Sequence, residues 1–179
     1  VIKKIVVVGM VLMLTACGGG GSGSSSGTSV TTVSGTASEG ALITGARVLL
    51  KDANGKSAAD ATTSATGSYS IDVTGLSAPF LVAVTGNNGT YVTLAQTAGT
   101  ANINPITTTV VALAAANSDA LAVFTKLTPA QIATINNNYA AKTALVTTAL
   151  QTALPAGVTA ASYFTGYSGP HISDNSLRW

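Results

Sequence analysis

Charged residues are scarce in this chain: Asp, Glu, Lys and Arg supply 8% of its 179 residues, eight of them basic and six acidic. So few cations, spread along the whole length, cannot neutralise a run of phosphates, which argues against nucleic acid as a partner. Aromatic rings are rarer still at 5%, with a single tryptophan, so a stacking platform for sugars has little to be built from. There is one cysteine, Cys17, and one histidine, His171. A lone cysteine excludes an internal disulfide and a cysteine-rich metal site. A lone histidine leaves a serine-type nucleophile only one candidate base. Past Leu14 no apolar run approaches the ~20 residues of a membrane-spanning helix. No cofactor motif is present: Gly18 to Gly21 lack the preceding strand and the following Lys-Ser or Lys-Thr of a phosphate-cradling loop.

What is present starts with a leader. Lys3 and Lys4 form a positive beginning, Ile5 to Leu14 form an apolar run interrupted by Gly9, and small residues follow directly before Cys17. Ten helical residues reach only about 15 Å, half of a hydrocarbon core ~30 Å thick, so the run reads as a signal segment and not as a span. The stretch Leu14-Thr15-Ala16-Cys17 resembles a bacterial lipobox. That resemblance implies cleavage after Ala16 and a lipoprotein whose Cys17 carries a diacylglyceryl group and a further acyl chain such as palmitate. Several acyl chains anchor stably where one does not. Gly18 stands where an aspartate would resemble an inner-membrane retention signal, so the outer membrane is expected in a diderm. Residues 1–16 are then the signal peptide, and loss of Lys3 and Lys4 leaves six basic against six acidic residues. Residues 17–29, nearly all glycine and serine, form a flexible tether with a root-mean-square span of about 19 Å.

From residue 30 to residue 104 short β-prone runs alternate with turn residues, as in a β-sandwich. Strands are expected over Val30 to Ala37, Ala46 to Lys51, a weak polar Ser57 to Thr63, Tyr69 to Val73, Phe80 to Val84, Tyr91 to Ala95 and Ala101 to Ile103. Asn54-Gly55 predicts a tight type I′ turn, and Gly86-Asn87-Asn88-Gly89 a second hairpin turn. Tyr69, Ile71 and Val73 alternate and therefore share a core face. Phe80 to Val84 is apolar at every position, which requires cover on both faces of that strand.

Three segments, Val33-Ser34-Gly35-Thr36-Ala37, Gly40 to Val48, and Gly67-Ser68-Tyr69-Ser70-Ile71, together resemble a carboxypeptidase regulatory-like domain. The match runs from Val33 to Thr85 and is carried by Gly35, Gly45, Ala46, Val48, Gly67 and Tyr69. It implies a mainly β sandwich of transthyretin-like (prealbumin-like) Greek-key type, a non-catalytic module that stiffens, presents or docks.

After Asn104 the apolar period lengthens to that of helices. Asn104 can cap, Pro105 can open the first turn, and Ile106, Val110, Leu113 and Ala114 share a face. Ser118 to Lys126 predicts a short helix. Thr128-Pro129-Ala130-Gln131 reads as a capping box opening a helix toward Leu154, with Ile132, Ile135, Tyr139, Val146 and Leu150 on its apolar stripe and Asn136-Asn137-Asn138 as a potential break. Residues 105–155 thus form a helical appendage, expected to cover the outer face of Phe80 to Val84. Residues 156–179 have no period and hold His171, Arg178 and Trp179. This stretch is expected to be an irregular tail, either an exposed binding element or the product of a truncation or frame shift.

Catalysis finds little support in this pattern. His171 lies in the tail, and Glu39, Asp52, Asp60, Asp72, Asp119 and Asp174 are single and scattered. Asp52 and Asn54 have the spacing that begins a calcium loop, but Lys56 occupies the next ligand position and no closing glutamate follows, leaving only an approach of Asp60 in space. Exposed rings for a glycan would have to come from Tyr91, Tyr163, Tyr167 and Trp179. The expected function is a lipid-anchored binding or scaffolding module of the cell envelope, not an enzyme, whose partners are the membrane and an envelope protein or polysaccharide. The alternatives are an accessory or truncated piece of a larger surface enzyme or transport system, and a glycan-binding surface protein.

Overall fold

The computed structural model describes residues 31–154 and 163–164. It contains seven strands, β1 (Thr32–Thr36), β2 (Arg47–Lys51), β3 (Ala61–Thr62), β4 (Ser68–Asp72), β5 (Phe80–Thr85), β6 (Thr90–Ala95) and β7 (Gly99–Thr100). Three helices follow, α1 (Pro105–Ala115), α2 (Ala120–Thr125) and α3 (Pro129–Gln151). The strands form a three-stranded sheet in the order β4-β1-β7 and a four-stranded sheet in the order β3-β2-β5-β6. Pairing is antiparallel except between β1 and β7, where Val33 and Ser34 run parallel to Gly99 and Thr100.

Two apolar layers follow from the alternation of the strands. Val33, Tyr69 and Ile71 of the smaller sheet meet Val48, Leu50, Phe80, Val82 and Val84 of the larger one in a shared core. The opposite face of the larger sheet contributes Leu81, Ala83, Val92 and Leu94 to a second core, completed by Val110, Val111 and Ala114 of α1, Val123 and Phe124 of α2, and Ile132, Ile135, Tyr139 and Val146 of α3. The continuous apolar run of β5 is explained by this arrangement, since one set of its residues faces the other sheet and the other set faces helices. Leu81 alone, with no exposed surface, contributes about 2 kcal/mol by burial.

Side chains tie the helical layer to the sheet. The edge strand β6 leaves backbone groups of Val92 facing outward, and the first turn of α1 satisfies them: Val92 N–H donates to Thr108 Oγ1 at 3.0 Å, and Thr107 Oγ1 donates to Val92 O at 3.1 Å. Asn104 caps α1, accepting from the amides of Ile106 and Thr107. Thr128 and Gln131 form the expected capping box of α3. Lys51 Nζ donates to Phe124 O at 3.0 Å and Thr125 O at 3.2 Å, holding the C-terminal end of α2 over the sheet.

Several sequence expectations need correction. The Asp52–Lys56 turn is not type I′, because Asn54 keeps a negative φ and only Gly55 (φ 79) is left-handed. Gly55 N–H donates to Asp52 O and Asp52 N–H to Lys56 O, a three-residue loop with glycine at its closing position. The polar third strand shrinks to Ala61–Thr62 with an isolated Lys51–Ser57 bridge, as expected where few apolar residues reward pairing. The last strand is centred on Gly99–Thr100, and Ile103 joins Ala37 by a single bridge. Helix α2 is shorter than expected because Asp119 caps it. Leu113 is 43% exposed, whereas Thr107, Val110, Val111 and Ala114 form the buried arc of α1, because the helix packs on β6 and α3 at once. Helix α3 does not break at its asparagines: Asn138 Nδ2 donates to Ala114 O at 3.1 Å and Asn136 Oδ1 accepts from Gln96 at 3.1 Å. Interhelical and helix–loop bonds offset the poor helix propensity of asparagine there.

Ala116, which ends α1, is left-handed with φ 52 and ψ 38 and is exposed. A side chain in that region costs about 1–2 kcal/mol, partly offset in glycine by its more flexible unfolded state. Ala116→Gly is therefore expected to stabilise the protein by about 0.5–1 kcal/mol, read as a rise in the urea midpoint with an unchanged slope.

Candidate functional site

The carboxylates, the first place to look for chemistry, are committed to the fold. Five of the six lie among the described residues. Glu39 accepts from the amides of Asn87 and Asn88, both at 3.0 Å, and so fastens the β5–β6 turn. Asp52, 2% exposed, accepts from the amides of Asn54 and Lys56 at 2.8 Å and from that of Ser77 at 3.1 Å. Burial alone would raise its pKa, but these amide donors outweigh it and hold the carboxyl below the ordinary carboxylate value. Asp60 pairs with Arg47. Asp72 accepts from the Thr74 amide, and hydrogen bonding from the Thr74 side chain and then from that amide lowers its pKa. Asp119 accepts from Ala122 N–H at the start of α2. In the Asp52–Asp60 region Asp52 accepts from amides through both oxygens and Asp60 pairs with Arg47. Among the described residues no group of three His, Cys, Asp or Glu is placed to hold a metal ion.

The four tyrosines among the described residues are likewise taken up. Tyr69 is buried and its hydroxyl donates to Ala101 O; burial pushes its pKa up. Tyr139 is buried against β6, and burial raises its pKa although contacts with Thr93 and the Leu94 backbone oppose the shift. Tyr91 is half-buried on the inter-sheet core, and its pKa is raised by burial and then by the charge and hydrogen bond of Glu39. Tyr163 is half-buried, and its backbone carbonyl accepts from Asn104 Nδ2 at 2.9 Å while Phe164 packs on the helical core. Neither Tyr91 nor Tyr163 is the open ring expected of a glycan platform. Their participation in packing was hidden in the sequence because Glu39 and Asn104 meet them from distant segments. Leu14, Thr15, Ala16, Cys17, Tyr167, His171, Asp174 and Trp179 lie outside the described residues.

The feature that sequence reasoning missed is a groove on the outer face of the larger sheet. Arg47, Leu49 and Lys51 alternate with buried Val48 and Leu50 along β2 and so point outward together. The helices cover β5 and β6, and α2, which β2 meets through Lys51, becomes a wall beside the outer face of β2. The resulting space has a volume of about 420 Å³, with Leu49, Ala83, Leu121 and Phe124 as its apolar surface and Arg47 and Lys51 at the two ends of the β2 segment. This volume falls within the range of small-ligand pockets. Leu121, 53% exposed, is among the few large apolar side chains left in solvent among the described residues. The ammonium of Lys51 lies 5.1 Å from the centre of the Phe124 ring, a cation–π distance. The strand alternation in Arg47-Val48-Leu49-Leu50-Lys51 was legible, but the position of α2 beside it was not.

No protein-family model matches the chain, and no curated protein or solved structure is significantly similar to it.

Proposed function

We propose that this chain is a lipid-anchored lipoprotein of the cell envelope, whose folded body binds or presents and does not catalyse. The observation that carries the reading is the succession of Lys3-Lys4, the apolar run to Leu14, Leu14-Thr15-Ala16-Cys17 and a glycine-serine stretch. Each part is needed for export, acylation and a body held off the membrane. The body itself is a transthyretin-like Greek key of the carboxypeptidase regulatory-like kind. Support comes from the split of seven strands into sheets of three and four, with the chain passing between sheets after β1, β3, β4 and β6. A non-catalytic role is supported by the commitment of Glu39, Asp52, Asp60, Asp72 and Asp119 to turns, caps and an ion pair. The membrane is one partner, through Cys17, and an envelope protein or polysaccharide is the other; the outer membrane is the site in a diderm.

Growth with labelled palmitate tests the anchor. Label is expected on the wild-type chain and in the membrane fraction, and is expected to vanish with Cys17→Ala. Label persisting on the Cys17→Ala protein would overturn the reading.

A further inference from the structure

We propose that the groove between β2 and α2 is a binding site for a small apolar anion, a ring or short chain bearing one carboxylate or a similar group. The proposal deepens the reading of the body as a binding module, but it does not depend on the lipid anchor.

The argument starts from β2. Residues two apart on a strand share a face, so Arg47, Leu49 and Lys51 line one side in the order cation, apolar, cation. At about 3.3 Å per residue the Cα atoms of Arg47 and Lys51 stand about 13 Å apart with Leu49 between them. Leu121 and Phe124 of α2 and Ala83 of β5 complete an apolar surface beside Leu49. A ligand entering here must therefore be largely apolar.

Charge then selects among apolar ligands. Arg47 shares its charge with Asp60 through Nε and Nη2, leaving three of its five donors unspent, and its side chain is 70% exposed. Lys51 has no carboxylate partner among the described residues. Two of its three protons go to the neutral carbonyls of Phe124 and Thr125, and the third is available. The charged lining is thus two cations against one anion, and the uncompensated charge sits at the Lys51 end. An anion placed there meets Lys51 with its apolar portion against Leu49 and Leu121. A cation of the same shape would meet Lys51 and Arg47 unfavourably. Ser57, bridged to Lys51, supplies a hydroxyl at the same end of the rim, suited to a remaining oxygen of the anion.

The experiment uses the full chain with Cys17→Ala and 2-naphthoate as the probe, followed by equilibrium dialysis. Saturable binding with one site per chain is expected, weakening as salt rises. The cationic isostere 2-naphthylmethylammonium is expected to bind at least about tenfold more weakly. Leu121→Asp places a carboxylate on the apolar wall and is expected to weaken naphthoate binding by about tenfold or more. The uncharged Leu121→Gln is expected to weaken it less. Leu145→Asp is the control, because Leu145 is equally exposed at 56% but lies on α3 away from the groove lining, and binding should be unchanged. An unaltered urea midpoint checks that each variant is folded. Absence of saturable binding, equal binding of the cation, or an equal loss in Leu145→Asp would overturn the proposal. None of these results bears on acylation of Cys17, so failure of the site and failure of the anchor are read separately.

Discussion

Gly35→Ala is expected to cost about 4 kcal/mol, enough to abolish folding if the parent stability lies at the low end of the usual range. Gly35 lies in β1 opposite Tyr69, and β7 approaches on the other side. A Cβ at this position would overlap the carbonyl oxygen of Ala101 and stand 2.7 Å from its carbonyl carbon. Backbone cannot rotate away as a side chain can. The missing Cβ leaves room for the Ala101 carbonyl to turn inward and accept from the buried Tyr69 hydroxyl. The methyl would thus impose overpacking, about 1–3 kcal/mol, and would displace a buried hydrogen bond. Tyr69→Phe removes only the bond and leaves the Ala101 carbonyl unsatisfied, so it should cost about 1–3 kcal/mol. Because both changes act on one carbonyl, the double variant should lose less than the sum of the singles. Urea midpoints of the four proteins measure this directly. Simple additivity would mean that Gly35 and Tyr69 do not act through Ala101.

Asp52→Ala is expected to destabilise by about 3 kcal/mol at neutral pH, since hydrogen bonds to a charged group contribute about 1.5–3 kcal/mol each and are not independent. Its carboxylate closes the β2 hairpin on itself through Asn54 and Lys56 and reaches Ser77, 25 residues along the chain. The loop before β5 is thereby pinned to the β2–β3 turn, a connection strengthened by Ala53 N–H donating to Ser77 O at 2.9 Å. The folded pKa of Asp52 lies below the ordinary value, so the unfolded chain takes up the proton first as pH falls. Its contribution is therefore complete above the ordinary carboxylate pKa of about 4 and is lost as pH drops through the lower folded value. Asp52→Asn should flatten the acid limb of the stability profile while lowering its plateau. An unchanged acid limb would show that the amides around Asp52 do not favour its charged form.

Much of this architecture was legible locally. The alternation at Tyr69, Ile71 and Val73 and the unbroken apolar run of β5 specify which strand faces are buried, because the side-chain period of a strand leaves no other reading. Asn104-Pro105 and Thr128-Pro129 announce helix starts, since capping chemistry involves residues only two or three apart. What remained hidden depends on long-range meetings. Asn102 Oδ1 accepts from Thr36 N–H across 66 residues, and nothing near either residue signals the partner. Glu39 meets Asn87 and Asn88 only once the strands are assembled. The groove is illegible for the same reason: Arg47, Leu49 and Lys51 form an alternating face, but only the placement of α2, held by Lys51 at its last carbonyls, turns that face into a concave site.

The lipid anchor on Cys17 is the claim on which location and function both rest, and the mass of the N-terminal peptide of the protein isolated from its own membrane tests it most directly. The account predicts a peptide beginning at Cys17, heavier than its unmodified form by a diacylglyceryl group and an additional acyl chain. A peptide with an unmodified Cys17 thiol, or one that continues upstream through Ala16, would contradict it.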